Sequence, residues 1–342
     1  MGDLLFNNMK AFIKAVSYYL PERVLTNAQL TERFPEWSVE KVASKIGINQ
    51  RHIAGEKEFV SDMAISASKI LFKEHHIEPT EIDFILLCTQ SPDYFLPTTA
   101  CIVQDKLGIP KNAGALDFNL GCSGYVYGLA IAKGLIMANI AKNILLITSE
   151  AYSKHINNKD KGNSTIFGDA ASATLLSTTG FAELKEFELG TDGSGANNLI
   201  VKEGGMRYPE KLNQEINEGE NGIIWPSNLY MNGSEIFNFT LESIPTLVKS
   251  TIQKNNIEEE NVDMYILHQA NKYLLNHLRK KIGIPEDKFF IFMENCGNTV
   301  SSTIPIALHE AMKSNKIHSN QKILLAGFGV GYSWGACIIE TN

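Results

Sequence analysis

The chain has 342 residues, 44% of them hydrophobic, and a formal net charge of −7 at pH 7. That is enough apolar surface for a large core, built as two domains or as one duplicated unit. The acidic balance argues against a nucleic-acid partner, and no uncharged apolar run reaches the roughly 18 residues of a membrane-spanning helix.

Met1 to Asn8 carries only Asp3 as a charged side chain. It does not read as a signal peptide and is expected to be a loose extension before a folded part that starts at Met9. The five cysteines, Cys88, Cys101, Cys122, Cys296 and Cys337, are odd in number and widely spaced, with no Cys-x-x-Cys. A reducing cytoplasm fits this pattern better than a disulfide framework or a zinc site. All but Cys122 are expected to be small core hydrophobes.

In chain order, Asp62–Glu74 places Met63, Ala64, Ala67, Ile70 and Leu71 on one helical face. Phe84–Cys88 is a buried strand. Ala115–Leu120 is a strand, Gly121-Cys-Ser-Gly turns, and a helix follows over Tyr125–Ala138. That helix is apolar nearly all round and is expected to be buried on every side. Asp192–Asn228, rich in Gly, Asn and Glu, reads as a surface insertion. Ser234 is a plausible N-cap for a helix running to about Lys254. Met264–Leu267 and Lys322–Ala326 are further strands.

The two halves repeat. His76–Cys88 lies on Asn256–His268 without a gap, and Asn143-Ile-Leu-Leu-Ile matches Lys322-Ile-Leu-Leu-Ala in the same order. Alternating strands and helices with an internal repeat predict an α/β body of two similar halves, 9–180 and 181–342, after the 1–8 extension.

Three separated motifs carry polar groups at the ends of apolar runs: Cys122 in Gly-Cys-Ser-Gly, His268 in Leu-His-Gln-Ala-Asn, and Asn298 in Asn-Cys-Gly-Asn-Thr. A thiol at a helix N-terminus is expected to have a lowered pKa, and its small neighbours admit a thioester. Taken singly, each motif has a plain structural reading: a core cysteine, a strand-end histidine bonded to backbone, a turn asparagine. His75, His76, His155 and His318 sit in polar stretches and read as surface residues. Together the three groups suggest a cysteine that takes up an acyl group, with imidazole and amide N–H donors holding an enolate beside it. This is carbon–carbon bond formation on thioesters, with no metal or organic cofactor signalled.

Gly121-Cys-Ser-Gly-Tyr, Leu267-His-Gln-Ala-Asn, Gly297-Asn-Thr-Val-Ser-Ser-Thr-Ile-Pro and Gly327-Phe-Gly-Val-Gly-Tyr-Ser-Trp-Gly resemble β-ketoacyl-[acyl-carrier-protein] synthase III. Arg51-His-Ile-Ala, Pro97-Thr-Thr-Ala, Ile166-Phe-Gly-Asp-Ala-Ala and Met231-Asn-Gly-Ser-Glu-Ile-Phe agree, in the family's order from about residue 10 onward. The resemblance implies a thiolase-like fold with duplicated five-layer αβαβα architecture, a cytoplasmic homodimer, and substrates that are an acyl-CoA or acyl carrier protein thioester and malonyl-acyl carrier protein. It gives the catalytic roles to Cys122, His268 and Asn298. The backbone N–H groups of Cys122 and Val330 would form the oxyanion hole. Leu96, Ile166, Phe167, Gly233 and Asn271 would contact substrate. Arg279, Lys280 and Lys281 offer a basic patch for the acidic carrier protein despite the overall −7.

There are departures. Lys41-Val42 takes the place of a family Trp-Ile pair whose Trp stacks on the CoA adenine, and Lys45-Ile46 replaces Arg-Thr. Lys161 stands for a second stacking arginine, and lysine stacks less well. Leu96 replaces a larger Phe that floors the acyl pocket across the dimer, which predicts a starter longer than acetyl or branched. Acyl transfer or thioester hydrolysis through the same cysteine is the alternative reading. Asn298 favours condensation, because plain transfer has no enolate to stabilise.

Overall fold

The computed structural model describes residues 9–217 and 223–342; the expected 1–8 extension lies outside them. In chain order the elements are β1 (Phe12–Tyr19), β2 (Val24–Thr26), α1 (Asn27–Arg33), α2 (Val39–Ile46), β3 (Gln50–His52), α3 (Val60–His75), β4 (Phe84–Cys88), α4 (Thr99–Leu107), β5 (Gly114–Phe118), α5 (Gly124–Met137), β6 (Ile144–Glu150), α6 (Lys161–Ile166), β7 (Ala170–Ser177) and β8 (Ala182–Thr191). They continue with β9 (Leu199–Ile200), β10 (Ile216–Asn217), β11 (Ile223–Ile224), β12 (Tyr230–Met231), α7 (Gly233–Lys254), β13 (Met264–Leu267), α8 (Lys272–Ile282), α9 (Thr303–Lys313), β14 (Lys322–Gly329) and β15 (Ser333–Thr341).

Among the described residues, nine strands form one mixed sheet in the order β13-β14-β15-β8-β1-β7-β6-β4-β5. Read outward from the β1–β8 seam, β1-β7-β6-β4 on one side is matched by β8-β15-β14-β13 on the other. β4 and β6 pair in parallel, as do β13 and β14, while β6–β7 and β14–β15 are antiparallel. Layers alternate outward from the centre. α5 and α9 pack between the two parts of the sheet, α3 and α4 cover one outer face, and α7 and α8 cover the other. This is the five-layer α/β arrangement.

The repeat legible in the sequence has a physical counterpart. Asp83 N donates to Asn143 O and Asp263 N to Lys322 O, each at 2.9 Å. The carboxylate returns the bond: Asp83 Oδ2 accepts from Asn143 N at 2.9 Å and Asp263 Oδ2 from Lys322 N at 2.7 Å. One aspartate thus fixes the register of the parallel pair in each half. His76 and Asn256, which turn the chain into these strands, both have φ of 53°, a left-handed conformation that Asn and His tolerate better than most residues.

Three expectations change. α5 is buried through its first two turns, but beyond them only one face, with Ala132 and Ile136, stays in the central core while Ile131 and Met137 are exposed. The N-cap of α7 is Asn232, not Ser234: Asn232 Oδ1 accepts from Glu235 N at 3.2 Å. Cys101 is exposed on α4 rather than in the core. Asp192–Asn228, outside its undescribed residues 218–222, is largely exposed, with β10–β11 as a small hairpin.

Candidate active site

Cys122 sits between β5 and α5 because small residues let three backbones meet there. A Cβ on Gly329 would lie 3.0 Å from the Cys122 sulfur, so β14 can pass against the thiol only as glycine. A Cβ on Gly124 would overlap the Cys88 sulfur at the end of β4. The hydroxyls of Ser123 and Ser333 share a hydrogen bond that ties α5 to β15. The expected lowering of the thiol pKa does not hold. Burial, followed by the nearby Glu150, pushes Cys122 up to about 12, and the positive end of one helix does not offset that loss of solvation.

His268 follows β13, and its N–H donates to Ala326 O on β14 at 2.8 Å. Its Nδ1 lies 2.8 Å from Thr303 Oγ1, the first residue of α9. The ring meets Phe328 edge-on, with centroids 5.7 Å apart. Burial holds the imidazole far below its usual range, at about 3, so it is neutral at physiological pH.

Asn298 is stitched to the loop after α6. Its N–H donates to Ile166 O at 2.9 Å and its carbonyl accepts from Gly168 N at 3.0 Å. Gly297 makes the approach, with φ of +75° and a would-be Cβ 3.0 Å from Ile166 O. The Asn298 Oδ1 accepts from Val300 N at 2.9 Å, which leaves the amide Nδ2–H₂ free to donate. Val300 adopts φ of 55°, a strained conformation for a β-branched side chain that the packing around this turn sustains.

Behind this loop lies Arg51, fully buried, which donates to Thr165 O at 2.5 Å and to Asn27 Oδ1 at 2.7 Å. Burial lowers its pKa to about 10. Its sequence motif marks the family but gives no hint that the guanidinium braces the end of α6.

Cys122, His268 and Asn298 line one cavity of about 480 Å³. Ile166, Phe167, Gly233 and Asn271 line it too, with Leu199, Met231, Ile236, Phe237 and Leu274 as its apolar wall. Asn271 caps α8 through Oδ1, which accepts from Leu274 N at 2.9 Å, so its amide N–H groups are what it can offer a ligand. Leu96 and Val330 do not line this cavity. Leu96 is 82% exposed on the loop before α4. Val330 packs its side chain among the residues around Cys122, and a Cβ on Gly121 would lie 2.7 Å from it.

The basic patch is smaller than the sequence implied. Arg279 donates to Ile284 O at 3.1 Å and to Glu286 Oε2 at 3.3 Å, so its guanidinium closes the end of its own helix. Lys280 and Lys281 are exposed. His155, read as a surface residue, is half-buried, and its Nε2 is 3.2 Å from Ser91 Oγ.

A second change concerns the missing tryptophan. Lys41 is exposed on α2, but Trp37, four positions earlier, meets Lys161: the ammonium is 5.0 Å from the indole centroid and 2.7 Å from Glu36 Oε1. An aromatic face paired with a cation is therefore present beside α6.

Fold and site define a thiolase-like condensing enzyme. Residues 116–193 match the family model described as 3-oxoacyl-[acyl-carrier-protein (ACP)] synthase III, and residues 252–341 match its C-terminal counterpart. A β-ketoacyl-[acyl-carrier-protein] synthase III from Clostridium perfringens is 38% identical over 323 residues, which covers 94% of this chain and 96% of that one. A crystal structure of a 3-oxoacyl-(acyl-carrier-protein) synthase III superposes with a TM-score of 0.93 at 44% identity, covering 96% of this chain and 99% of the other. A 3-oxoacyl-(acyl-carrier protein) synthase from Burkholderia xenovorans gives 0.89 at 34% identity, covering 97% and 94%. The chain belongs to the β-ketoacyl-[acyl-carrier-protein] synthase III family.

Proposed function

We propose that this chain is an acyltransferase of the condensing type that joins an acyl thioester to malonyl-acyl carrier protein with loss of carbon dioxide. The observation that carries this is one mostly apolar cavity holding a thiol, a neutral imidazole and a carboxamide whose oxygen is already engaged.

In the first half-reaction the Cys122 sulfur attacks the donor carbonyl. The bond from acyl carbon to donor sulfur breaks, and the Cys122 proton leaves with the departing thiol. Backbone N–H groups of Cys122 and Val330 hold the transient oxyanion. In the second, the malonyl carboxylate leaves as carbon dioxide. The electron pair it leaves behind becomes an enolate, whose oxygen accepts from His268 Nε2–H and Asn298 Nδ2–H. The enolate carbon attacks the acyl-cysteine, the bond from acyl carbon to Cys122 sulfur breaks, the sulfur leaves as a thiolate that takes a proton from solvent, and a 3-oxoacyl thioester is released. Every step is carried by these side chains and the two thioesters.

Ile166, Phe167, Gly233 and Asn271 line the passage that a pantetheine arm would fill. Lys280 and Lys281, both exposed, are the cations offered to an acidic carrier protein. The donor is an acyl-CoA or an acyl carrier protein thioester. A homodimer would cover the exposed strip Tyr94-Phe95-Leu96 and bring a second Leu96 toward the acyl end, where it favours chains longer than acetyl or branched ones. Five free cysteines suit the cytoplasm.

Intact-protein mass spectrometry after incubation with a panel of acyl-CoAs and acyl carrier proteins tests this, with Cys122→Ser beside it. A mass gain present in the parent and lost in the variant is expected, and the best-loaded chain identifies the starter. Loading that persists in Cys122→Ser would overturn the assignment.

A further inference from the structure

Behind the cavity lies a carboxyl that none of these steps uses. Glu150 ends β6, is 0% exposed, and has no Lys or Arg in ion-pair range among the described residues. Its hydrogen bonds come from two segments beside the nucleophile, the Gln90–Ser91 pair after β4 and the turn that holds Ser301. Oε1 accepts from Ser301 Oγ at 3.0 Å, in the turn that carries Asn298. Gln90 N donates at 3.1 Å to Oε2 and lies 3.2 Å from Oε1. Ser91 Oγ is 3.4 Å from Oε2 and also 3.2 Å from His155 Nε2. Gln90 in turn packs against Gly121, where a Cβ would lie 2.6 Å from its side-chain oxygen.

We infer that Glu150 is a positioning residue of this site: a buried carboxyl behind Cys122 whose ionisation opposes formation of the Cys122 thiolate. The inference rests on the reading of Cys122 as nucleophile. The titratable groups facing Glu150 are Cys88 at the end of β4, Cys122, Tyr152 and His155 after β6, and Asp169 before β7. None supplies a fixed positive charge, since burial also lowers the pKa of His155. A second negative charge on the sulfur is therefore resisted while Glu150 is ionised and tolerated while it is protonated. Burial pushes Glu150 up to about 8, so it titrates close to physiological pH.

The hydroxyl of Ser91 gives this carboxyl a route for proton exchange. When Glu150 is ionised, His155 Nε2–H donates to Ser91 Oγ, and Ser91 O–H donates to Oε2. When Glu150 is protonated, both bonds reverse, with Glu150 O–H donating to Ser91 and Ser91 to His155 Nε2. Between the two states Ser91 passes one proton to the carboxyl, and the ring, neutral in both, gives up its Nε2 proton and takes one from solvent at Nδ1.

The test is the pH dependence of Cys122 alkylation by iodoacetamide, followed by peptide mass mapping in a Cys101→Ser background that removes the exposed thiol. The logarithm of the rate should climb with pH and flatten near 8, where Glu150 ionises. Glu150→Gln, which keeps the shape and cannot ionise, should remove the flattening and alkylate about tenfold faster above it, the effect of a one-unit change in thiol pKa. Ser301→Ala removes one donor to the carboxylate, so its flattening should move to higher pH, and it is read alone if Glu150→Gln fails to fold. A folded Glu150→Gln with the parent profile, or an unmoved profile in Ser301→Ala, overturns the inference. Acyl loading of the parent, run in parallel, reports on the nucleophile reading separately.

Discussion

His268 Nδ1 and Thr303 Oγ1 lie 2.8 Å apart where the end of β13 meets the first residue of α9. Each has one proton to place. The threonine hydroxyl is also 3.0 Å from Val300 O. If it donates there, it accepts from Nδ1–H and leaves Nε2 bare. If it donates to Nδ1, the imidazole proton is on Nε2 and faces the cavity. Only the second arrangement offers an N–H to an enolate oxygen, so one hydroxyl decides whether the ring can act.

Thr303→Val should therefore lower the condensation rate by roughly 10-fold or more, by analogy with the partners that orient metal-bound histidines. Acyl loading of Cys122 should be unaffected. Thr303→Ser should restore condensation. Single-turnover assays of the two half-reactions separate these outcomes, and an equal loss in both would mean that the threonine only supports packing.

On the proposed mechanism Asn298→Ala removes one donor to the enolate. The expected loss in condensation is on the order of 10²- to 10³-fold, with Cys122 loading retained. Decarboxylation of malonyl-acyl carrier protein, measured on its own, should fall in parallel. An undiminished decarboxylation rate would remove Asn298 from the enolate site.

Stability should depend on pH through two groups with opposite signs. His268 falls from 6.5 to about 3 on folding. Between these values the unfolded chain holds a proton that the folded chain lacks, so its contribution is present above 6.5 and is lost as pH falls. Glu150 rises from 4.5 to about 8. There the folded chain holds the extra proton, so its contribution is present below 4.5 and is lost as pH rises through that window. Thermal melts should show Glu150→Gln gaining in Tm over the parent by an amount that grows from pH 4.5 to about 8. A gap that stays constant with pH would show that Glu150 does not titrate in this way.

Trp37 gives a way to separate the two classes of donor. If its ring takes up an adenine beside Lys161, Trp37→Ala should raise KM for an acyl-CoA about 2- to 30-fold, equivalent to roughly 0.5–2 kcal/mol. KM for the same acyl group on a carrier protein should not change. Equal effects on both donors would assign the Trp37–Lys161 pair a structural role.

The sequence by itself determined β4, β5, β13 and β14, the helices α3, α5 and α7, and the repeat, because these depend on local apolar periodicity and on turn and cap residues. It also marked Cys122, His268 and Asn298, since each needs a small or glycine-bearing neighbour that leaves a motif. It could not decide their electrostatics. The thiol of Cys122 stands high, not low, because burial from several elements outweighs one helix terminus. Nor could it find partners that are remote in the chain. Thr303 is 35 positions from His268, Ser301 is 151 from Glu150, and Trp37 reaches Lys161 across α1 and α6. Exposure followed the same rule. Arg279 turned back on its own helix, and Leu96 pointed away from its own cavity, because a side chain's direction is set by whatever the fold brings against it. Tertiary structure decided which polar groups are buried around one cavity, and there each group's charge depends on the others.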